Sequence, residues 1–363
     1  MSASPENAPK NVQENAPEIA IAGRKIGAAY SPYVICELSG NHNGSLERAL
    51  ALVDAAAKTG CDAIKLQTYT PDTITLDCDR EEFKIKGGLW DGRTLFDLYK
   101  DAYTPFEWHE ALFARAASHG VTMFSSPFDD TAVDLLESLK APAYKIASFE
   151  LIDLPLVAYV ASKQKPMIMS TGMANAKEIA DAVAVAREHG TGEIVLLHCV
   201  SNYPADISDA HVRTVPSLGA TYGCVCGLSD HTMGSAASVA AIALGGAVIE
   251  KHFTLARADG GPDSGFSLEP DEFAALVRDC KNAHKALGQV HYDTLGSERA
   301  NKQFRRSLYV VADIAKGEAL TRTNIRSVRP GMGLPPVRLW DILGKPAARD
   351  LKRGEPLSDE MVG

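Results

Sequence analysis

The chain has no apolar run approaching a membrane span, no Cys-x-x-Cys pair, no Gly-x-Gly-x-x-Gly fingerprint and no excess of basic charge. Each absence closes a class. Without roughly 20 consecutive apolar residues there is no candidate transmembrane helix. The opening MSASPENAPKNVQENAPE lacks the basic start and apolar core of a cleaved signal peptide, so a cytoplasmic location is expected. A formal net charge of -9, with no basic stripe interleaved with aromatics, argues against a nucleic-acid footprint. An anion must then be held in a local pocket of lysines, hydroxyls and backbone N–H groups. The seven cysteines (Cys36, Cys61, Cys78, Cys199, Cys224, Cys226, Cys280) are odd in number. Four of them (Cys36, Cys199, Cys224, Cys226) fall in apolar strand-like runs, and without paired spacing they read as structural thiols of a reducing compartment.

What is present has a rhythm. A chain of 363 residues suits one large domain with a small one, or two of medium size. Residues 1 to about 17 are rich in Pro, Asn, Glu and Ala without periodicity and read as a disordered tail. EIAIAGRKIG alternates around Gly23 and suits a hairpin plugging the bottom of a barrel. From Tyr33 come YVICELSG, AIKLQT, VTMFSSP, AYKIAS, PMIMST, EIVLLHC, CVCGLSD and AVIEKHFT, eight strand candidates separated by segments of helical spacing. Helix ends are expected at Gly60, Gly120 and Gly190, and Asn175 with Glu178 reads as a capping box.

Eight βα units in about 250 residues is the size of an α/β TIM (β/α)8 barrel. The expected organisation is a tail and hairpin over 1–28, the barrel over 29–288, a polar linker over 289–303 and a small β-rich module over 304–363. In that module DIAKGEAL at 313–320 returns as DLKRGEPL at 350–357, which predicts internal pseudo-symmetry. The stretch from Thr70 to Thr104 far exceeds the usual βα loop of roughly 2–6 residues. It reads as a lid or specificity element, with a purely structural insertion as the alternative.

In such a barrel, chemistry is built at the C-terminal ends of the strands. There the sequence places Glu37, Asn41 and His42; Lys65 and Gln67; Ser125 and Ser126; Lys145, Ser148 and Glu150; Ser170 and Thr171. The last three strands add His198, Ser201, Asn202 and Tyr203, then Ser229 and His231, then Glu250 and His252. Two lysines, several serines and the turn STGMANAKE before a helix make a pocket for phosphate or carboxylate. His231 and His252, at equivalent ends of neighbouring strands, are either ordinary polar residues or a pair sharing a divalent metal ion with open positions. Ser229-Asp230-His231 is not a hydrolase triad, because adjacent strand residues face opposite ways and Gly-x-Ser-x-Gly is absent. An anionic substrate beside a polarised carbonyl suggests carbon–carbon bond formation, with hydrolysis or sugar-phosphate isomerisation left open.

The ordered set ELSGNHNG, KLQTYTPDT, SSPFD, AYKIAS, STGM, LHCVSNYP, GLSDHT, EKHFT, GGPDS, RRSLYV and RPGMGLPP resembles the sialic acid synthase family from about Tyr33 to the end. The insertion FKIKGGLWDGRTLFDLYKDAYTP is most similar to its pseudaminic acid branch. The resemblance implies a transferase that condenses phosphoenolpyruvate with 2,4-diacetamido-2,4,6-trideoxy-L-altrose, releasing phosphate by C–O cleavage. It implies a divalent metal (Mn2+, Mg2+ or Co2+) on His231 and His252. Phosphoenolpyruvate would be held by Lys65, Ser126, Lys145, Ser148, Ser170, Ser201 and Ser229, and the sugar by Gln67, Glu150, Tyr203, Asp263 and Arg329. Glu37 would move a proton or orient water. Ser201 stands where acetylneuraminate synthases carry asparagine, which favours the pseudaminic branch. The terminal module resembles the antifreeze-like (SAF) domain of these synthases, which implies a homodimer with each module capping the partner's barrel. The alternatives are acetylneuraminate or legionaminate as product and, more distantly, a non-catalytic sugar- or ice-binding protein.

Overall fold

The computed structural model describes residues 16–363; most of the expected disordered tail, residues 1–15, lies outside them. Two compact units divide at Gly288 and Gln289. The first opens with a hairpin, β1 (Ile19–Ile21) and β2 (Arg24–Ile26), whose two-residue turn Ala22-Gly23 has both residues at positive φ. That left-handed pair matches the twist of the strands it joins.

Eight parallel strands then close a barrel. They are β3 (Tyr33–Glu37), β4 (Ala63–Thr68), β5 (Thr122–Pro127), β6 (Tyr144–Ile146), β7 (Met167–Ser170), β8 (Ile194–Cys199), β9 (Val225–Asp230) and β10 (Val248–His252). Sequence neighbours pair in order and β10 returns to β3. The helices expected between them are present, and the Asn175–Glu178 capping box opens the helix Ala176–His189. Thr59 and His119 cap two earlier helices, each followed by a glycine at positive φ.

Side-chain alternation sorts each strand into two faces. The outer faces, with the helices, make the main apolar core. Facing inward at the bottom are Ile35, Ala63, Phe124, Ala143, Ile168, Leu197 and Val248, sealed below by Ile19, Ile21 and Ile26 of the hairpin. Two residues further along the strands, the same inward face carries Glu37, Lys65, Ser126, Lys145, Ser170, Cys199 and Glu250, with Ser229 beside them on β9. The barrel interior therefore changes from hydrocarbon to charge within one step of the pleat.

The stretch after β4 is an ordered excursion. It holds the helix Pro71–Ile74, a turn paired through Ile85 and Arg93, and the helix Leu95–Ala102. Its ends are pinned by buried contacts, Thr68 Oγ1 to His109 Nε2 at 2.8 Å and Thr104 Oγ1 to His42 Nε2 at 3.3 Å.

The second unit, Gln289–Gly363, has its own small core and pairs β11 (Ser307–Val310) antiparallel with β12 (Ile325–Val328). The stretch read as a linker contains 3-10 turns at Gly296–Phe304. The sequence echo is a pseudo-twofold in hydrogen bonds. Ile314 and Leu351 exchange both backbone bonds at 2.9 and 2.8 Å. Asp350 accepts from the Lys316 N–H at 2.7 Å, and Asp313 accepts from the Arg353 N–H at 2.9 Å. Glu318 and Glu355 repeat a third contact, each accepting from the N–H three residues before it.

Candidate active site

The inward polar layer converges on one carboxylate. Glu250 Oε1 lies 3.1 Å from Lys65 Nζ, 3.2 Å from Lys145 Nζ and 3.2 Å from Ser229 Oγ. Lys65 also reaches Glu37 Oε2 at 2.8 Å and Ser126 Oγ at 3.4 Å. Glu37 in turn accepts from Gln67 Nε2 at 3.2 Å and from the Ser39 N–H at 3.1 Å. Both lysine side chains are at most 4% exposed, so their charge survives only because carboxylates face it.

The electrostatics follow. Burial disfavours the charge on Lys65, but Glu250 and Glu37 outweigh it and hold the ammonium above its usual range. Lys145 has Glu250 as its one carboxylate partner among the described residues, and burial pushes it down. Burial would raise Glu250, yet the two lysines bring it to about 2. Burial pushes Glu37 up despite Lys65, which suits a carboxyl that exchanges a proton. Burial also lifts Glu150 to about 7.

Above the lysines the hydroxyls gather at Gly172, whose N–H donates to Ser148 Oγ at 3.1 Å. Any Cβ at Gly172 would collide with Ser201 Oγ and come within 2.7 Å of Ser148 Oγ. The glycine is required by this close approach. Ser170 Oγ, Glu250 Oε2 and Glu150 Oε2 are buried without a hydrogen-bond partner among the described residues, a cost a bound polar ligand would remove.

His231 and His252 stand together with ring centroids 5.3 Å apart. The His231 Nδ1–H donates to Val200 O at 3.0 Å, which leaves Nε2 as a free acceptor. His252 Nδ1 is buried without a hydrogen-bond partner among the described residues, and Asp263 Oδ2 lies 3.9 Å from it. No group of three or more His, Cys, Asp or Glu stands in metal-ligand arrangement among the described residues. Two imidazoles with free nitrogens fit a catalytic cation that keeps positions open for substrate, and do not fit a closed structural site. Tyr203 packs on His231 with centroids 4.5 Å apart, and Phe266 packs on both His252 at 4.9 Å and Tyr203 at 5.2 Å. Asp263 is bonded to the Ser39 hydroxyl, and burial pushes its carboxyl up despite that bond and the nearby His231.

Other strand-end residues belong elsewhere. Ser125 faces the helices, bonding Thr68 Oγ1 at 2.6 Å, so the serines of the pocket do not include it. Asn41 holds Phe253 O and Ser267, His42 anchors the excursion, and His198 Nε2 caps Ala210 O at 2.9 Å. Thr171 bonds Leu197 O and Asn202 is exposed. Asp230 turns outward to a buried ion pair with Lys251 at 3.0 Å, as alternation requires of a neighbour of Ser229. Arg329 is in the second unit, exposed beside Pro330. The seven cysteines are free thiols, but Cys199 faces the interior, with Sγ 3.8 Å from His231 Nδ1. Sequence reasoning assigned no chemical role to Glu250 or Ser39, and read Cys199 as a structural thiol. For Glu250 the signal was its position two residues before His252 on the same strand face.

A closed parallel barrel whose C-terminal mouth holds two buried lysines, a ring of hydroxyls and paired imidazoles defines an enzyme acting on an anionic substrate. The chain belongs to the NeuB family, whose model matches residues 52–292; a SAF domain follows over residues 305–363. It is 46% identical over 325 residues to the pseudaminic acid synthase of Campylobacter jejuni, spanning 90% of this chain and 95% of that protein. It is 44% identical over 335 residues to the pseudaminic acid synthase of Helicobacter pylori, spanning 91% and 98%. The fold is similar to the crystal structure of N-acetylneuraminic acid (sialic acid) synthetase from Leptospira borgpetersenii in complex with citrate. There the TM-score is 0.70 at 30% identity, covering 79% of this chain and 95% of that one.

Proposed function

We propose that the protein condenses phosphoenolpyruvate with 2,4-diacetamido-2,4,6-trideoxy-L-altrose to give pseudaminic acid and inorganic phosphate. The observation that carries this is the pair of buried lysines around Glu250, with Ser229 bonded to the same carboxylate and two imidazoles paired at the same barrel mouth. Likeness at 46% identity to a protein named for the same reaction supports the choice of acceptor.

Lys65 and Lys145 neutralise the phosphate and carboxylate of the enol, and Ser126, Ser148, Ser170, Ser201 and Ser229 donate to its oxygens. Gln67, Glu150, Tyr203 and Asp263 hold the open-chain sugar with its aldehyde near the imidazoles. C3 of the enol attacks the aldehyde carbon, whose oxygen takes a proton. Water adds at C2 and loses a proton, and the tetrahedral intermediate expels phosphate with the C2–O bond. Glu37 orients that water or carries its proton, a role supported by its contacts with Lys65 and Gln67. His231 and His252 would hold a divalent cation, which when bound would supply Lewis-acid polarisation of a carbonyl oxygen.

The reading extends to a cytoplasmic homodimer in which Arg329 of one subunit faces the acyl group of the sugar in the other. Exposure of Arg329 accords with this. Mixing inactive His252→Ala and Arg329→Ala proteins under exchange conditions is expected to restore activity, and no recovery refutes cross-subunit completion.

The deciding assay offers the enzyme phosphoenolpyruvate, manganese and, separately, the altrose derivative, N-acetylmannosamine and the legionaminic acid precursor sugar. Phosphate release is expected with the altrose derivative. Release with either other acceptor and not with it would sink the proposal.

A further inference from the structure

The excursion after β4 carries mostly exposed polar side chains, but Trp90 turns inward. Its ring centroid lies 5.9 Å from that of Tyr203, which stacks 4.5 Å from His231. Its indole N–H donates to Pro262 O at 3.1 Å, next to Asp263. Indole has one donor and no acceptor. With that donor used, Trp90 presents only carbon to the cavity of about 680 Å³ that it lines with Leu89 and Pro262, while Arg93, Lys100 and Asp101 supply charge elsewhere in the lining.

The distances match a substrate. An open six-carbon chain with its aldehyde at the imidazoles extends roughly 6 Å over five bonds. A further contact distance of roughly 4 Å brings its far end against a surface. Ring contacts of 5.9 Å from Trp90 to Tyr203 and 4.5 Å from Tyr203 to His231 set Trp90 no farther from His231 than about that reach. In the acceptor proposed above the far end is a methyl group, where other hexoses carry a hydroxyl.

We infer that Trp90 is a specificity-determining residue, an apolar wall contributed by the excursion against C6 of a 6-deoxy acceptor. The inference rests on the proposed function and narrows it, because it assigns acceptor selection to a side chain outside the barrel strands. A carbon wall favours methyl over hydroxymethyl by the desolvation of the hydroxyl, a preference on the order of ten-fold to a hundred-fold.

The test compares kcat/KM for the altrose derivative and for its 6-hydroxy counterpart in wild type, Trp90→Ala and Trp90→Gln, with KM for phosphoenolpyruvate measured in each. Gln keeps an N–H for Pro262 and removes the apolar face, so it separates wall from anchor if the Ala variant loosens the segment. Wild type is expected to prefer the 6-deoxy acceptor by about ten-fold or more. Both variants should reduce that preference to about three-fold or less, with KM for phosphoenolpyruvate within about two-fold of wild type. Equal loss on both acceptors, or an unchanged preference, overturns the inference and leaves Trp90 as an anchor only. Absence of wild-type turnover with the altrose derivative instead counts against the proposed function. The wall is then judged from the 6-deoxy and 6-hydroxy forms of the acceptor that does turn over.

Discussion

Glu250→Gln isolates the charge balance at the centre of the barrel. Glu250 Oε1 is the shared partner of Lys65 and Lys145, and for Lys145 it is the only carboxylate in reach among the described residues. The substitution preserves shape and removes one negative charge from a cluster less than 5% exposed. Breaking a buried pair costs about 3–5 kcal/mol. The lower end applies here, because burial already pushes Lys145 down and the variant can shed its proton. About 3 kcal/mol in a barrel of this size corresponds to a loss of roughly 6–12 °C in Tm. An anion that sits between the lysines restores the missing charge, so inorganic phosphate should raise the Tm of the variant more than that of wild type. Thermal melting by circular dichroism at pH 7, with and without phosphate, reads both effects. The sign with pH is fixed by the direction of the shift. Since Glu250 is held at about 2, its contribution is fully present above the ordinary carboxylate value of 4.5 and is lost as pH falls through about 2. Between pH 5 and 8 the gap between variant and wild type should not shrink through Glu250. A Tm within about 2 °C of wild type, or equal stabilisation of both proteins by phosphate, refutes the reasoning.

Three further outcomes follow from other contacts. Gly172→Ala drives Ser148 and Ser201 off the pocket, and losing two hydrogen bonds to a charged ligand at about 1.5 kcal/mol each should raise KM for phosphoenolpyruvate roughly a hundred-fold, with KM for the sugar little changed in steady-state kinetics. Asp230→Asn breaks the outward ion pair with Lys251 and should destabilise by about 3–5 kcal/mol in urea melts, while KM for phosphoenolpyruvate stays within about two-fold of wild type. After dialysis against manganese and then metal-free buffer, wild type should retain metal by elemental analysis. His231→Ala and His252→Ala should not, and equal retention in all three rejects the imidazole pair as the binding site.

The fold was largely legible because strand and helix periods repeat. Eight apolar runs, each with a polar residue where burial should end, map onto β3 to β10 in order. Alternation alone set Lys65 with Gln67, Ser229 with His231, and Ser229 against Asp230, since a pleat leaves no choice about neighbours on one strand. The echo at 313–320 and 350–357 likewise foretold pseudo-symmetry in the second unit, which the reciprocal aspartate bonds realise.

What alternation cannot supply is which of two faces points inward and what then stands across the barrel. Ser125 and Ser126 are indistinguishable in sequence; strand register sends one to the helices and the other to Lys65. Glu250 becomes the hub of the lysines only because closure sets β10 between β9 and β3, with Lys145 reaching across from β6. Gly172 is demanded by hydroxyls from β8 and β6 loops that are distant in the chain. The length of the excursion was plain in the sequence, but Trp90 had no periodic signal, and only tertiary packing against Tyr203 and Pro262 turned it toward the mouth. Residue types and their order along each strand determined what chemistry was available; ring closure decided which groups meet, because charges interact across a barrel at distances that sequence spacing does not encode.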